Sequence, residues 1–544
     1  MPGKSRWRMT VPAAVMVLVA AGCSGDEPDR PEALPNSISI GIAEPSTLIP
    51  TNITESNGSQ VLSSLFYPLV RFDAASKPYL VAAESISHDK ANKVWTVKLR
   101  PGFTFSNGEP VVADNYLDAW NYGAYGPNAQ LASYYFSRID GFAEMQSIDP
   151  DGAGPQKAAE PSATKLTGLK KVDDLTFTVT LSAPFSGWQS VMGYDSFYPL
   201  PKAAFAADGT LTKEFGEAPI GNGPFKMKGT WQHDEQVQVV KVDDFKGTVP
   251  KVDGITWKIY QELTAQYDDL VDGKLDVQTK IPVESLGSAV SALGTRLVKS
   301  PNSSFSFVGF PTFEKDFANR DVRRALSMAI NREEITEQVF LGSEKPATSF
   351  VPPSVAGSRP NSCGQWCEYN PARAKQLYTA ARGPLAIQIA YNVDGGHQPW
   401  VDAMCNQIRI ALGIECTGVS YPKLAEVLSK VKNEEHVGLI RLAWTMDYPL
   451  MESYLGPLYT TDGSSNYYGY SNPTFDSLVR QGSEAATSAA AEKYWQAAED
   501  LLVRDMPVLP LRYGQNVFGY STKVTDVTMD LFQKVDIYKI DLTS

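Results

Sequence analysis

The sequence predicts a mixed α/β protein of at least two lobes, and three observations carry that expectation. Its 544 residues exceed what one hydrophobic core usually organises. Up to about residue 300 it is rich in short alternating segments of the kind that form half-buried strands. Beyond about residue 320, amphipathic helical segments alternate with apolar strands. Hydrophobic residues make up 43% of the chain and charged residues 20%, so a globular core is affordable and a disordered class is excluded.

The N-terminus reads as a leader. Lys4, Arg6 and Arg8 precede an uncharged, mostly apolar stretch, 9–21, too short for a permanent bilayer-spanning helix. Ala20-Ala21-Gly22-Cys23 follows and gives way to polar residues. This resembles a bacterial lipoprotein signal, in which the cysteine thiol is lipid-modified and becomes the mature N-terminus, although Ala20 stands where leucine is commoner. An ordinary secretory signal with an incidental cysteine is the alternative. Either places the folded part outside the cytoplasm. Residues 1–22 are thus expected to be a signal peptide and 23–36 a tether, whose prolines, glycines and acidic residues have little to bury.

Globular structure is expected to begin at Ser37-Ile-Ser-Ile-Gly-Ile-Ala43. Val94-Trp-Thr-Val-Lys-Leu99, Leu175-Thr-Phe-Thr-Val-Thr-Leu181, Val237-Gln-Val-Val-Lys-Val242 and Ile255-Thr-Trp-Lys-Ile-Tyr260 alternate in the same manner. Turn signals such as Ser106-Asn107-Gly108 and Asp173-Asp174 separate them. In the second half, 321–340 reads as one amphipathic helix, with Val322, Ala325, Leu326, Ala329, Ile330 and Ile335 on one side. Asn370-Pro371 is an N-cap followed by proline in the first turn. Strands are expected at 385–391 and 438–444, and helices at 400–412 and 488–502.

With Cys23 assigned to the lipid, four cysteines remain: Cys363, Cys367, Cys405 and Cys416. An even number in an exported chain suggests two disulfides. Three pairings exist, and proximity favours Cys363 with Cys367 and Cys405 with Cys416. A zinc site is the rival, but 405 and 416 do not form a knuckle matching 363–367. The formal charge is −12, and removing the three leader cations takes it to −15. So acidic a surface is a poor match for nucleic acid, which is bound through Lys and Arg on phosphates.

Six stretches together resemble the extracytoplasmic solute-binding proteins of peptide and nickel ABC importers, the oligopeptide/dipeptide-binding family. They are Pro78-Tyr-Leu-Val-Ala-Ala-Glu-Ser85 with 94–111, Gly221-Asn-Gly-Pro-Phe225, Asp321-Val-Arg-Arg-Ala-Leu-Ser-Met-Ala-Ile-Asn-Arg332, Tyr470-Ser-Asn-Pro-Thr-Phe-Asp476 and Met506-Pro-Val-Leu-Pro-Leu511. Each is weak alone, but they follow in order across nearly the whole mature chain. The paired cysteines look like those of actinobacterial members. The resemblance implies a two-lobed clamp of the periplasmic-binding-protein kind with an extra subdomain. Lobe I would comprise 37–72, 184–301 and 499–544, the inserted subdomain 73–183, and lobe II 302–498, with the hinge near 301 and 499. It also implies a peptide ligand and a permease with cytoplasmic ATPases as partner, and with the leader it places the chain, lipid-anchored, at the extracytoplasmic face of the cell membrane. The protein is expected to act as a monomer, without cofactor, metal or nucleic acid.

A free peptide presents an ammonium, a carboxylate and unpaired backbone groups, all of which a closed pocket must pair. By motif match, Asp447 in Arg441-Leu-Ala-Trp-Thr-Met-Asp447 is expected to meet the ammonium. Leu442, Ala443, Trp444 and Thr445 form the strand along which ligand backbone would lie, and Trp444 lines the groove. Arg441 and His397 match residues that meet the ligand carboxylate. Arg441 and Asp447 are six positions apart, so an extended chain points both to one face, with small Ala443 between. Glu55, Ser56 and Asn57 are expected to give backbone contacts from lobe I and Tyr134 and Tyr135 an aromatic contact; 462–469 is a further candidate. Against each stands an ordinary reading as cap, core or solvated loop.

The rival class is an exported enzyme. The chain holds no Gly-x-Ser-x-Gly, His-Glu-x-x-His or Walker A sequence, and His88, His233, His397 and His436 are scattered. No catalytic residue is assigned. Within the binding class, a nickel complex, haem or sugar as ligand, or a peptide-sensing role, are the alternatives. Asp447 with Arg441 favours a zwitterion.

Overall fold

The computed structural model describes residues 35–73, 76–147, 160–432 and 435–543. The leader, Cys23 and nearly all of the tether lie outside the described residues. Two large hydrophobic cores define two lobes. The first is built from residues between Ile38 and Ile259 together with the C-terminal Phe518 to Ile540, and the second from residues between Phe305 and Tyr513.

One 11-stranded sheet runs through both lobes. Its order is Glu415–Tyr421, Ala386–Asn392, Leu439–Trp444, Leu297–Gly309, Val508–Tyr520, Val277–Gln278, Ser37–Ile42, Gly254–Ile259, Gln236–Lys241 and Phe225–Met227, with Lys345–Pro346 also paired to Val508–Tyr520. The expected strands at 37–43, 94–99, 175–181, 237–242 and 255–260 form within a residue or so of the expected ends. At its centre, Leu297–Gly309 and Val508–Tyr520 run antiparallel for 13 residues each, from Leu297 opposite Gly519 to Gly309 opposite Val508. Val298 and Phe518 pack with the first core, whereas Phe305, Phe307, Leu509 and Leu511 belong to the second. Both strands therefore cross between the lobes. Pairing is interrupted between Pro301 and Phe305. Pro301 has no N–H to give, and Ser303 donates its N–H to Leu531 O at 3.2 Å rather than to the neighbouring strand.

Position 499 lies on neither crossing strand. That position falls within the helix Ser488–Asp505, whose Ala491, Trp495, Ala498 and Leu502 are buried in the second core. This apolar stripe needs the cover of lobe II, so the chain returns only along the following strand, near Gly514. A second difference concerns 321–340, which is two helices, Arg320–Met328 and Arg332–Gln338. Asn331 leaves helical geometry between them and accepts from Glu334 N, starting the second helix as an N-cap. Asn370 caps Pro371–Ala380 as expected, accepting from Arg373 N at 3.0 Å.

Residues 83–180 carry a separate four-stranded sheet, ordered Ala83–His88, Val94–Leu99, Thr176–Thr180 and Leu169–Asp173. Its Trp95, Val97, Phe177 and Val179 join Tyr116 and Trp120 of the helix Ala113–Ala124 in the first core, so this insertion is continuous with lobe I. The cysteines pair as proximity favoured, Cys363 with Cys367 and Cys405 with Cys416.

The stretch 321–332 turns out to be structural. Arg332 is buried and donates to Pro510 O at 2.6 Å, Cys367 O at 3.0 Å, Ser327 O at 3.1 Å and Ser327 Oγ at 2.6 Å. Burial pulls its guanidinium down to about 9. Because Pro510 lies on a crossing strand, this one side chain ties the lobe II helices to the hinge. Arg332→Met leaves these oxygens without donors and is expected to cost about 3 kcal/mol. Urea unfolding would show a lower midpoint at unchanged slope; an unchanged midpoint would mean that water takes over the arginine's bonds without loss.

Candidate ligand cleft

The strand Leu439–Trp444 pairs along one edge with Leu297–Gly309, Trp444 standing opposite Phe305 and Ile440 opposite Gly309. Along the other edge it pairs with Ala386–Asn392 only at Leu439 and Ile440. Among the described residues, Leu442 to Trp444 therefore keep one edge without a partner strand. Leu442 and Met446 are buried in the second core, Ala443 and Thr445 are exposed, and Arg441 and Asp447 are half-buried. The alternation expected from Arg441 to Asp447 persists although the ladder ends at Trp444. Leu442 can offer a ligand only its backbone. Trp444 is half-buried, its Nε1 donating to Ser453 O at 2.8 Å.

Asp447 is fixed by its own N–H, which donates to Ser453 Oγ at 2.8 Å. Its Oδ1 accepts from Tyr135 at 3.1 Å and Tyr134 at 3.5 Å, both reaching across from the inserted subdomain. Tyr134 stacks on Tyr135 at 4.3 Å and Tyr135 on Tyr194 at 4.1 Å, which orients the hydroxyls. Burial pushes Asp447 up to about 6; the tyrosine hydroxyls work in the opposite sense, and nearby Glu452 adds to the rise. Among the described residues Asp447 makes no ion pair. It is an anion held in a protein-lined place with hydroxyl partners and no cation.

Lobe II meets the subdomain through a second contact that sequence reasoning missed. Arg138 donates to Glu452 at 2.7 Å and lies 4.1 Å over the Phe185 ring. Burial works against the Arg138 cation, but Glu452 and Tyr448 more than offset it and hold the arginine above its ordinary value. Tyr448 also donates to Glu452 and packs within the first core, although it follows the lobe II strand in sequence. Nothing in the spacing of 138 and 452 marks them as partners.

At the other end of the strand, Arg441 donates to Asn392 Oδ1 at 3.2 Å. Lys280 and Arg441 both lie close enough to Glu344 to oppose the upward push that burial gives its carboxyl. Glu344 pairs with buried Arg512, whose guanidinium lies 4.3 Å from the Phe340 ring and 5.0 Å from Trp400. His397, the other candidate for the ligand carboxylate, is drawn into lobe II. It is buried, and its Nδ1 accepts from Trp400 Nε1 at 3.2 Å.

Glu55, Ser56 and Asn57 begin the helix Ser56–Leu65, and the two longer side chains are taken up there. Glu55 Oε1 accepts from Gly58 N at 2.9 Å and Ser46 N at 3.3 Å, and Asn57 Oδ1 from Ala43 N at 3.1 Å. The residues just before them bond the segment that precedes the tyrosines: Asn52 Oδ1 accepts from Leu131 N at 3.0 Å and Thr51 O from Ala132 N at 3.3 Å. Leu131 is 62% exposed, which leaves an apolar side chain open beside Tyr134. In 462–469, Asn466 bonds Thr460 O and Tyr470 O, and Tyr468 is buried in lobe II, so much of that turn serves packing.

The raised value of Asp447 sets a sign. Folding disfavours the charged form, so the wild type is penalised above about pH 6 and relieved as the pH falls toward the ordinary value of 3.8. Without ligand, Asp447→Asn is expected to be more stable than the wild type by about 1–3 kcal/mol at pH 8. The gap should shrink through pH 6 and close near pH 4. Denaturant unfolding at the three pH values checks this, and a variant less stable at pH 8 would contradict it.

Residues 77–466 match the family model for bacterial extracellular solute-binding proteins, family 5 middle. The dipeptide-binding protein DppE of Bacillus subtilis is 26% identical over 498 residues, covering 88% of this chain and 86% of the relative. The oligopeptide-binding protein OppA of the same organism is 23% identical over 551 residues, covering 97% of each. Among solved structures, the unliganded open form of the periplasmic murein tripeptide-binding protein MppA superimposes with a TM-score of 0.78 at 22% identity, over 93% of this chain and 97% of that one. With the model spanning most of the chain and the two-lobed sheet continuous beneath it, the chain belongs to the bacterial extracellular solute-binding proteins of family 5.

Proposed function

We propose that this chain is the substrate-binding component of an ABC importer and captures peptides between its lobes. The observation that carries the reading is Asp447, a carboxylate held by two tyrosine hydroxyls, raised to about 6 and lacking a cation. A peptide α-ammonium supplies the missing charge, and such a charge-assisted bond is among the stronger ones available. The open edge of Leu442 to Trp444 supplies backbone donors and acceptors for an extended ligand. Recognition through backbone tolerates many side chains. Relatives named for dipeptide and oligopeptide binding support the same reading.

Ligand would enter between the lobes and contact the lobe II strand together with Leu131 and the tyrosines of the subdomain. Contacts to both sides favour the closed arrangement by their differential affinity, and the two crossing strands absorb the rotation. Arg441 would face the ligand carboxylate. Lipidation of Cys23, with the chain held at the extracytoplasmic face of the cell membrane and docking on a permease, completes the proposal. The leader sequence supports it.

Calorimetric titration of the purified protein with di- to pentapeptides and their N-acetylated forms tests the reading. Free peptides are expected to bind, and acetylation or Asp447→Ala to weaken binding at least about tenfold through loss of the charged bond. Affinity should fall as the pH drops below about 6, by up to about tenfold per unit once Asp447 is mostly protonated. Equal binding of acetylated peptides would remove Asp447 as the ammonium partner. No binding across the panel would remove peptides.

A further inference from the structure

We propose that the chain carries a second ligand site, a cavity beside the hinge that takes an amine with an apolar body. The cavity measures about 650 Å³ and is walled by both lobes, the two crossing strands and the C-terminal segment 528–539. Phe72, Tyr198, Phe518, Phe532 and Tyr538 give it largely apolar walls. It is distinct from the cleft described above. Met446 and Pro449 line it, but Asp447 between them does not, nor do Arg441 to Thr445 or Tyr134 and Tyr135. Tyr194 stands between the two spaces, lining the cavity and stacking on Tyr135.

Most charges around the cavity are already matched. Arg71 pairs with Asp536 at 3.3 Å and lies over the Tyr538 ring, Lys539 also pairs with Asp536 at 3.2 Å, and Lys534 pairs with Asp195 at 2.7 Å. Asp73 accepts from Lys77 N, and Lys345 is exposed to solvent. Among the described residues two acceptors stand out. Asp530 Oδ1 accepts from Phe532 N and Lys534 N, both at 2.9 Å, and this exposed carboxylate makes no ion pair there. Gln515 Oε1 is buried without a donor. Both residues line the cavity, and Asn516 Nδ2 donates to Asp530 O at 2.9 Å.

Asp530 is exposed and lines the cavity. Burial pushes its carboxyl above the ordinary value, while Lys534 and the two amides work in the opposite sense. A buried acceptor without a donor is costly, and an ammonium in the cavity offers Gln515 a hydrogen and Asp530 an opposite charge. An anion would meet Asp530 with repulsion, and a neutral alcohol could offer a single hydrogen. The apolar walls fit the rest of a small aromatic or aliphatic amine.

The test is titration of the full-length protein with phenethylamine, 2-phenylethanol and phenylacetate. Phenethylamine is expected to bind at least about tenfold more tightly than the alcohol, since bonds to charged groups are the stronger ones, and phenylacetate most weakly. Asp530→Asn, which keeps an oxygen for the two amides, should remove that preference. Gln515→Leu should weaken the amine several-fold, and Asp447→Asn should leave it unchanged. An amine that binds no better than the alcohol would overturn the proposal. So would a preference that survives both cavity variants, or one that Asp447→Asn abolishes instead, which would place the amine in the main cleft.

Discussion

Two strands of 13 residues, Leu297–Gly309 and Val508–Tyr520, are the constraint on which the rest of the molecule depends. Each begins in one hydrophobic core and ends in the other, so the lobes share a sheet and cannot separate without breaking its central ladder. The ladder has its longest interruption near Pro301, where a missing N–H and a turned-away Ser303 leave a short unpaired stretch, and its register shifts once more between Ser306 and Phe307. A ladder broken at these places concentrates bending there. Arg332 secures the lobe II side by donating to Pro510 on one of the two strands.

The cleft inherits its geometry from the same sheet. Leu439–Trp444 lies next to a crossing strand, so its free edge and the loop carrying Asp447 stand where the lobes face each other. From the opposite side the inserted subdomain contributes Tyr134, Tyr135 and Arg138. Their contacts to Asp447 and Glu452 differ in kind. Arg138 and Glu452 satisfy each other, and the pair fixes the approach of the two parts. Asp447 receives only neutral donors and keeps a raised affinity for a proton, which any cation arriving in the cleft would displace.

Much of this was legible in the sequence, for physical reasons that differ by element. Val94–Leu99 and Leu439–Trp444 show their period or apolar run directly, and Asn370-Pro371 starts a helix by local chemistry alone. Asp447 stands in a recognisable motif and the tyrosine pair falls only near an expected aromatic contact, and nothing local reveals that they touch. What stayed hidden depends on distant packing. The stretch 321–340 keeps one helical period across Asn331, and only that residue's capping bond splits it. The stripe at Ala491, Trp495, Ala498 and Leu502 announces a buried face but not which lobe buries it, so the second crossing was placed too early. His397 and Glu55 carry the right chemistry for ligand contact, yet Trp400 and the start of a helix claim them first.

The account rests on Asp447 being a carboxylate that waits for a cation. Its most direct test is proton release on peptide binding, measured calorimetrically at pH 6 in two buffers of different ionisation enthalpy. A group near 6 is half protonated there, so pairing with an ammonium should expel about half a proton per peptide. The release should vanish in Asp447→Asn. Peptide binding with no proton exchanged in the wild type would show that Asp447 does not meet the ligand's charge.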